Sequence, residues 1–213
     1  MEMLSLFLDV FLHLDLYLGT IIRQYGVFTY IILFIVIFLE TGLVITPFLP
    51  GDSLIFAAAT FAAMGNMNIF ILVIVVLIAA ILGDAVNYFI GNKLGNKLMK
   101  KDGKFIKKSY IDKTHGFYEK YGGKTIIIAR FVPIVRTFAP FVAGVSNMHY
   151  KKFLCFNAIG AILWVFLVSC SGYFFGNIKF VQEHFTMVVL AIIFISILPA
   201  IVGIIKEKSL HKA

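Results

Sequence analysis

The sequence is poor in the residues on which most enzymes and disulfide-stabilised proteins depend. Its 213 residues include two cysteines, five histidines and one tryptophan, and only 14% of them are charged. The cysteines, Cys155 and Cys170, occupy one apolar segment. On a helix they would lie roughly 22 Å apart. That separation excludes a disulfide between them.

Motifs of several enzyme classes are also missing. The sequence contains no GxxxxGK[ST] phosphate loop, no HExxH zinc motif and no GxSxG nucleophile elbow. His115 and His149 have no partner at metal-ligand spacing, and His149 falls at a predicted surface turn. We therefore expect no bound metal and no cofactor. We also expect no enzyme, such as a lipid phosphatase with a histidine nucleophile.

Apolar residues are present in excess. They make up 61% of the chain, and the mean hydropathy is +0.96. A soluble domain of this size could not bury that much apolar surface. We therefore predict an all-α polytopic membrane protein that forms a single membrane domain over residues 1–213.

The net charge of +8 is concentrated beside the predicted spans. Most of the lysines fall within a segment predicted to be a basic loop, residues 91–124. An excess of lysine next to membrane spans marks the cytoplasmic side, so we place this loop and both termini in the cytoplasm. Such charge favours anionic lipid headgroups as neighbours, and we predict no nucleic-acid partner.

Four apolar segments have the length of about 20 residues that a membrane-spanning helix requires. These predicted spans cover residues 27–46, 69–90, 153–175 and 185–205. Residues 1–24 mix Leu and Phe with charged side chains. They are predicted to form an amphipathic helix at the membrane interface.

Two further apolar segments, residues 47–65 and 125–145, carry prolines and glycines that an ordinary span avoids. Both are predicted to be re-entrant hairpins, which enter and leave the bilayer on the same side. An interrupted helix at membrane depth must be buried in protein or line a cavity. The residues predicted to interrupt the hairpins are Pro47, Pro50, Gly51, Pro133 and Pro140.

A weak internal repeat relates residues 50–91 to residues 133–176. Each copy contains a proline, a GNM or SNM turn, an apolar run and a final NYFIG or GYFFG. A hairpin followed by one span crosses the membrane once, so the second copy begins on the opposite side and the two copies are inverted. Inverted repeats with interrupted helices are typical of transporters that bind their substrate near the membrane midplane.

Arg130 and Arg136 lie on either side of Pro133 in an otherwise apolar segment. A helix break at this proline would allow both side chains to face one cavity. Arginine stays charged and binds phosphate or carboxylate through paired hydrogen bonds, so we predict that the two arginines bind an anionic headgroup. The alternatives are that they extend to the cytoplasmic surface or pair with an acid that fixes the hairpin.

Two acids occupy apolar surroundings. Glu40 stands in the first predicted span, and Asp52 stands at the start of the first predicted hairpin. An unpaired carboxylate at membrane depth favours proton uptake, so we predict that both acids couple transport to protons or another cation. Asp52 is also suited to be a helix N-cap, with Ser53 as a second candidate. A salt bridge from either acid to an arginine of the other hairpin would be compatible with both roles.

Asp84 and Asn87 lie three residues apart on one face of the second predicted span. They are candidates to line the same cavity. The alternative is that they cap the cytoplasmic end of the span near Lys93. Trp164 lies within the third predicted span, where packing in the core is the favoured interpretation.

Four motifs together resemble the DedA family of bacterial inner-membrane proteins: FLETGLVITPFLPGDSLIF, GDAVNYFIGNKLG, FYEKYGGKTIIIARFVPIVRTFAPFVAG and GYFFG. The resemblance covers nearly the whole chain and is closest to the founding branch. The wider VTT-domain superfamily includes eukaryotic lipid scramblases. The resemblance implies a multi-pass protein of the bacterial cytoplasmic membrane that transports a lipid and is linked to proton-motive force. It also implies functional roles for the acids and arginines at the matching positions, which are Glu40, Asp52, Arg130 and Arg136.

We therefore predict a lipid flippase that translocates undecaprenyl phosphate for envelope synthesis, with protons or sodium ions as coupling ions. A phosphatidylethanolamine or phospholipid flippase or scramblase is the first alternative. A cation/proton antiporter that supports the membrane potential is the second. A non-catalytic scaffold would not need charged residues inside its hairpins. The sequence leaves the oligomeric state open, including a homo-oligomer.

Overall fold

The computed structural model describes residues 14–43, 51–100 and 122–176, and positions 178, 179, 181, 187, 188 and 191. All the regular structure in these residues is helical, as the sequence predicts. The helices of the described segments are α1 (Leu14–Tyr25), α2 (Phe28–Gly42), α3 (Gly51–Ala63), α4 (Ile69–Lys100), α5 (Lys124–Ala129), α6 (Pro133–Val145) and α7 (Tyr150–Phe175). Pro47, Pro50, residues 1–13 and most of the predicted span over 185–205 lie outside the described residues.

Two helices in the described part of the chain are long and apolar enough to cross a membrane. The qualifying stretches are Ile69–Leu94 in α4 and Tyr150–Phe175, which is all of α7. Helices α2 and α3 are apolar but shorter, with 15 and 13 residues. They cover parts of the first predicted span and the first predicted hairpin.

Helix α4 begins at a capping residue and runs further than the predicted span. Asn68 caps its start, because its Oδ1 accepts hydrogen bonds from the N–H groups of Phe70 and Ile71 at 2.9 and 3.2 Å. At the other end, the helix continues past residue 90, the predicted end of the span, to Lys100. The first part of the predicted basic loop is therefore helical. Single glycines cost a helix only about 1 kcal/mol each, which does not stop one that is already formed.

The segment predicted as the second hairpin consists of α5 and α6, separated by residues 130–132. Val132 has an extended backbone with φ −119° and ψ 105°, and Pro133 is the first residue of α6. A residue before proline favours extended backbone, and proline fits the first helical position, where no N–H is needed. The two short helices pack against each other.

Pro140 does not interrupt a helix, so the prediction that it breaks the second hairpin was wrong. It lies inside α6, which is helical from Pro133 to Val145. The fixed φ of proline is compatible with a helix, so the main loss is the hydrogen bond that its nitrogen cannot donate. Gly51, another predicted break, is the first residue of α3.

The chain divides into two compact units. The first unit is formed by residues 1–36, 49–77 and 165–213, and the second by residues 37–48 and 78–164. In the first unit, α3 is buried along most of its length and packs against α1. Helices α3 and α7 approach closely at Gly172, whose carbonyl accepts a hydrogen bond from Thr60 Oγ1 at 3.1 Å.

The second unit has its own apolar core. It is built from Tyr88, Ile126, Ala143 and Phe153. The rings of Tyr88 and Phe153 stack with their centroids 4.5 Å apart, and the Tyr88 hydroxyl donates a hydrogen bond to the carbonyl of Met148. Helices α4 and α6 touch at Gly144, where a Cβ would lie 2.7 Å from the backbone nitrogen of Asn92. This contact joins the two helices that carry the buried polar residues Asp84, Asn87, Arg136 and Thr137.

Large apolar side chains are exposed on the helices of both units. Phe70 on α4 is 76% exposed, and Ile162 on α7 is 52% exposed. In a soluble protein such side chains are mostly buried, whereas lipid solvates them. The outer faces of these helices therefore have the character of lipid-contacting surface.

Candidate functional site: a buried ion-pair cluster

Among the described residues of the second unit, four charged side chains are buried. Glu40, Asp84, Arg130 and Arg136 expose 1%, 3%, 3% and 7% of their surface. Charged side chains are almost never buried to this extent unless they are paired. Their partners therefore decide what the site can do.

Arg130 directly follows α5 and is held by two other helices. Its Nη2 donates hydrogen bonds to the carboxylate of Asp84 and the carbonyl of Ala80 on α4, the latter at 3.4 Å. The same nitrogen donates to Oδ1 of Asn157 on α7 at 2.6 Å. The break before Pro133 thus leaves this arginine between α4 and α7.

Arg136 lies in the first turn of α6 and is paired with an acid from α2. Its Nη2 donates a hydrogen bond to the carboxylate of Glu40. The two residues are 96 positions apart in the sequence. The salt bridge that the sequence allowed for Glu40 is therefore present.

One aromatic ring lies against both arginines. The guanidinium carbons of Arg130 and Arg136 are 5.8 and 5.1 Å from the ring centre of Trp164. These distances fall within the range of a cation–π interaction. The sequence favoured core packing for Trp164, which is indeed buried, but did not indicate these contacts. We refer to Glu40, Asp84, Arg130, Arg136 and Trp164 as the ion-pair cluster.

Asn87 connects the backbones of α2 and α6 beside the ion pair of Glu40 and Arg136. Its Nδ2 donates hydrogen bonds to the carbonyls of Thr41 and Thr137, at 3.1 and 2.7 Å. These residues follow Glu40 and Arg136 directly. Because Asn87 and Asp84 are buried inside α4, the alternative that they cap a helix end is wrong. Lining of a cavity stays a prediction for both.

We expect Asn87→Leu to destabilise the protein. The substitution removes both of these hydrogen bonds, each of which contributes roughly 0.5–1.5 kcal/mol to stability. Thermal unfolding of the purified protein in detergent measures the effect. Ser171→Ala is the matched control, because among the described residues the Ser171 hydroxyl donates its hydrogen bond to the carbonyl of Leu167 in its own helix. Equal melting temperatures for the two variants would contradict a role for Asn87 in holding α2 and α6.

Asp52 belongs to the first unit rather than the second. It lies in the first turn of α3, where a carboxylate interacts favourably with the positive end of the helix dipole. Asp52 and Ser53 are the second and third residues of α3, so neither occupies the N-cap position that the sequence suggested for them. Its role in ion coupling stays a prediction.

The ion-pair cluster has two positive and two negative formal charges, so its total charge is zero. Buried ion pairs contribute little net stability, whereas removal of one partner costs about 3–5 kcal/mol. Chemically, the cluster can exchange protons at its carboxylates and bind an anion at its guanidinium groups. Within the described segments, no group of three or more side chains is suited to hold a metal ion.

Comparison with known proteins agrees with the resemblance. A family model, the VTT domain, matches residues 49–174. Protein DedA of Escherichia coli (strain K12) is 52% identical over 211 residues, which cover 98% of this chain and 96% of that protein. The chain belongs to the DedA family.

Other DedA-family relatives are more distant. An uncharacterized membrane protein of Mycobacterium tuberculosis (strain H37Rv) is 47% identical over 172 residues, covering 79% of this chain and 75% of the relative. Inner membrane protein YqjA of E. coli (strain K12) is 34% identical over 149 residues, covering 70% and 68%. No solved structure matches the chain. Family membership and the two apolar helices together make this chain a membrane protein.

Proposed function

We propose that this DedA-family protein is a lipid flippase that binds the phosphate of its substrate at Arg130 and Arg136. We propose undecaprenyl phosphate, carried across the cytoplasmic membrane for envelope synthesis, as the substrate. One observation carries the proposal: two buried arginines, each paired with a carboxylate, lie against one tryptophan ring. Guanidinium groups bind phosphate in the same way as carboxylate, so a lipid phosphate is a natural competitor for them.

A purely structural role accounts poorly for the cluster. Replacement of a buried ion pair by apolar side chains is often neutral or stabilising. Charged side chains at membrane depth are costly and usually mark a transport pathway or a site of proton exchange. Four such side chains in one unit therefore favour function over scaffolding.

Proton coupling follows from competition at Arg136. Protonation of Glu40 removes its charge, which leaves the guanidinium available to the phosphate. Deprotonation restores the salt bridge and favours release. A proton gradient would then give the substrate different affinities on the two sides of the membrane, which is what coupling requires. We include Asp52 as a second coupling acid on the basis of the family resemblance and its position at the start of α3.

The same chemistry applies to phosphatidylethanolamine and other phospholipids, which makes phospholipid transport the first alternative. A cation/proton antiporter is less well supported. Each carboxylate of the ion-pair cluster is paired with an arginine, whose positive charge disfavours a cation at the same oxygen atoms. This arrangement suits an anionic ligand better than a cation.

We also propose a membrane arrangement. Helices α5 and α6 would form a re-entrant hairpin, residues 47–65 would form its inverted counterpart, and both termini would be cytoplasmic. The break between α5 and α6 and the weak internal repeat support this arrangement. Reporter fusions at each terminus, active only in the cytoplasm or only outside it, test the proposed orientation.

Lipid flipping by the purified protein in vesicles tests the function. Undecaprenyl phosphate and phosphatidylethanolamine are compared, with and without a proton gradient, against protein-free vesicles. We expect protein-dependent movement of undecaprenyl phosphate that responds to the gradient. Movement of phosphatidylethanolamine alone would show that the substrate is a phospholipid rather than undecaprenyl phosphate. Movement of protons or sodium ions without either lipid would favour the antiporter.

A further inference from the structure

Arg130 is held through one nitrogen by one charged and two neutral acceptors. All three bonds, to Asp84, Asn157 and the carbonyl of Ala80, start from Nη2. If Asp84 loses its charge, the two neutral acceptors still hold the guanidinium in place. Arg130 can therefore exchange its counter-ion without moving its side chain.

Arg130 also has a hydrogen-bond donor that a ligand could use. Its Nε is buried and has no hydrogen-bond partner among the described residues. The same applies to the Oδ1 acceptor of Asn87 in the same unit. Buried polar atoms without partners are rare in folded proteins and call for a ligand, water or ion. An anionic oxygen fits the first atom, and a protonated hydroxyl fits the second.

Charge balance determines what must accompany an anion. The ion-pair cluster is neutral, and a phosphate placed in it adds at least one negative charge to a buried site. Such a charge is strongly disfavoured at low dielectric. Uptake of one proton by a carboxylate of the cluster restores neutrality. Asp84 is the carboxylate on Arg130, and Glu40 is the carboxylate on Arg136.

We propose that Asp84 is the counter-ion that a lipid phosphate displaces from Arg130, so that phosphate binding is accompanied by protonation of Asp84. This inference rests on the proposed lipid-phosphate function and adds a third proton acceptor to Glu40 and Asp52. In the exchange, the Asp84 carboxylate gains a proton and becomes a neutral acid, and a phosphate oxygen accepts hydrogen bonds from Arg130. The charged groups around Asp84 are Arg130 and, from α6, Arg136, with Glu40 on α2 as the other carboxylate of the cluster.

The test measures binding to the full-length protein in detergent. The probes are farnesyl phosphate and a short-chain phosphatidylglycerol, whose phosphodiester does not titrate near neutral pH. Fluorescence of Trp164 reports binding, because it is the one tryptophan of the chain and lies against both arginines. Calorimetry in buffers of different ionisation enthalpy counts the protons taken up with each ligand.

Two nearly isosteric substitutions change the acceptors of Arg130 Nη2 and separate the effect of charge from that of shape. Asp84→Asn keeps an acceptor for Nη2 but removes the charge, so we expect tighter binding and about one proton fewer taken up per ligand. Each proton taken up with the ligand makes the apparent Kd rise about tenfold per pH unit. The plot of log Kd against pH should therefore be less steep for Asp84→Asn, by about one, than for the unsubstituted protein. Asn157→Asp adds a competing carboxylate, and we expect weaker binding. The double variant Asp84→Asn/Asn157→Asp should recover the proton uptake.

The outcomes distinguish failure of the inference from failure of the function. If neither probe binds the unsubstituted protein, the lipid-phosphate function fails and the inference fails with it. If the probes bind but Asp84→Asn leaves the proton count unchanged, or weakens binding without loss of folding, Asp84 has only a structural role. Unchanged binding in Asn157→Asp, which does not depend on the stability of the first variant, would also overturn the inference.

Discussion

Replacement of Arg136 by alanine is expected to abolish lipid transport while the protein still inserts into the membrane. The substitution removes one of the two proposed phosphate ligands and leaves Glu40 buried without its salt bridge. Loss of one partner of a buried pair costs about 3–5 kcal/mol of folding stability. The vesicle flipping assay measures transport, and the amount of protein in the membrane fraction measures insertion.

A second substitution separates transport from stability. In Arg136→Ala/Glu40→Gln no uncompensated charge remains, so we expect most of the lost thermal stability to return. Transport should stay absent, because the phosphate ligand is still missing. Normal transport by either variant would contradict the phosphate-binding role of Arg136. Recovery of transport together with stability would show that the arginine acts only through the fold.

A large effect on folding is also expected at Gly144, where α6 touches α4. A Cβ at this position would lie 2.7 Å from the backbone nitrogen of Asn92 and 3.0 Å from the carbonyl carbon of Tyr88. Both atoms are backbone, so no side-chain rotation can relieve the overlap. We expect Gly144→Ala to destabilise the protein by roughly 1–3 kcal/mol or more, seen as a lower melting temperature in detergent.

A glycine elsewhere in the second unit provides the control. A Cβ at Gly42 would meet the backbone of Gly83 at 3.4 Å, an ordinary contact distance. Alanine at Gly42 should therefore change stability by less than about 0.5 kcal/mol. Similar melting temperatures for the two alanine variants would show that the α4–α6 contact can open without loss of the fold.

Charged residues in apolar segments are the feature of the site that is easiest to predict from the sequence. Glu40, Arg130 and Arg136 are conspicuous because they are charged residues in apolar segments, and unpaired burial of such groups is costly. The same cost argument allowed for a salt bridge between Glu40 and an arginine, and that salt bridge is present. The helical class followed equally directly, because only helices and closed barrels satisfy the backbone within lipid.

The partners that α7 supplies to the arginines could not be predicted from the sequence. Nothing in the local pattern connects Trp164 or Asn157 to the arginines, because both lie in α7 among apolar neighbours. Pro140 was predicted as a break since proline disfavours helix interiors, yet the helix tolerates the loss of one hydrogen bond. Asp84 was one of two candidates on a helix face, and only its contact with Arg130 gives it a specific role.

The long separation between Glu40 and Arg136 bears on how the protein is made. The ribosome adds roughly 5–20 residues per second, so the 96 positions between the two take roughly 5–20 s to synthesise. During that interval α2 already exists and its acid has no arginine to pair with. On the proposed membrane placement, Glu40 therefore enters the bilayer as a neutral acid or waits at its surface. The salt bridge can form only after Arg136 in α6 has been synthesised, so this contact is made late in the synthesis of the described helices.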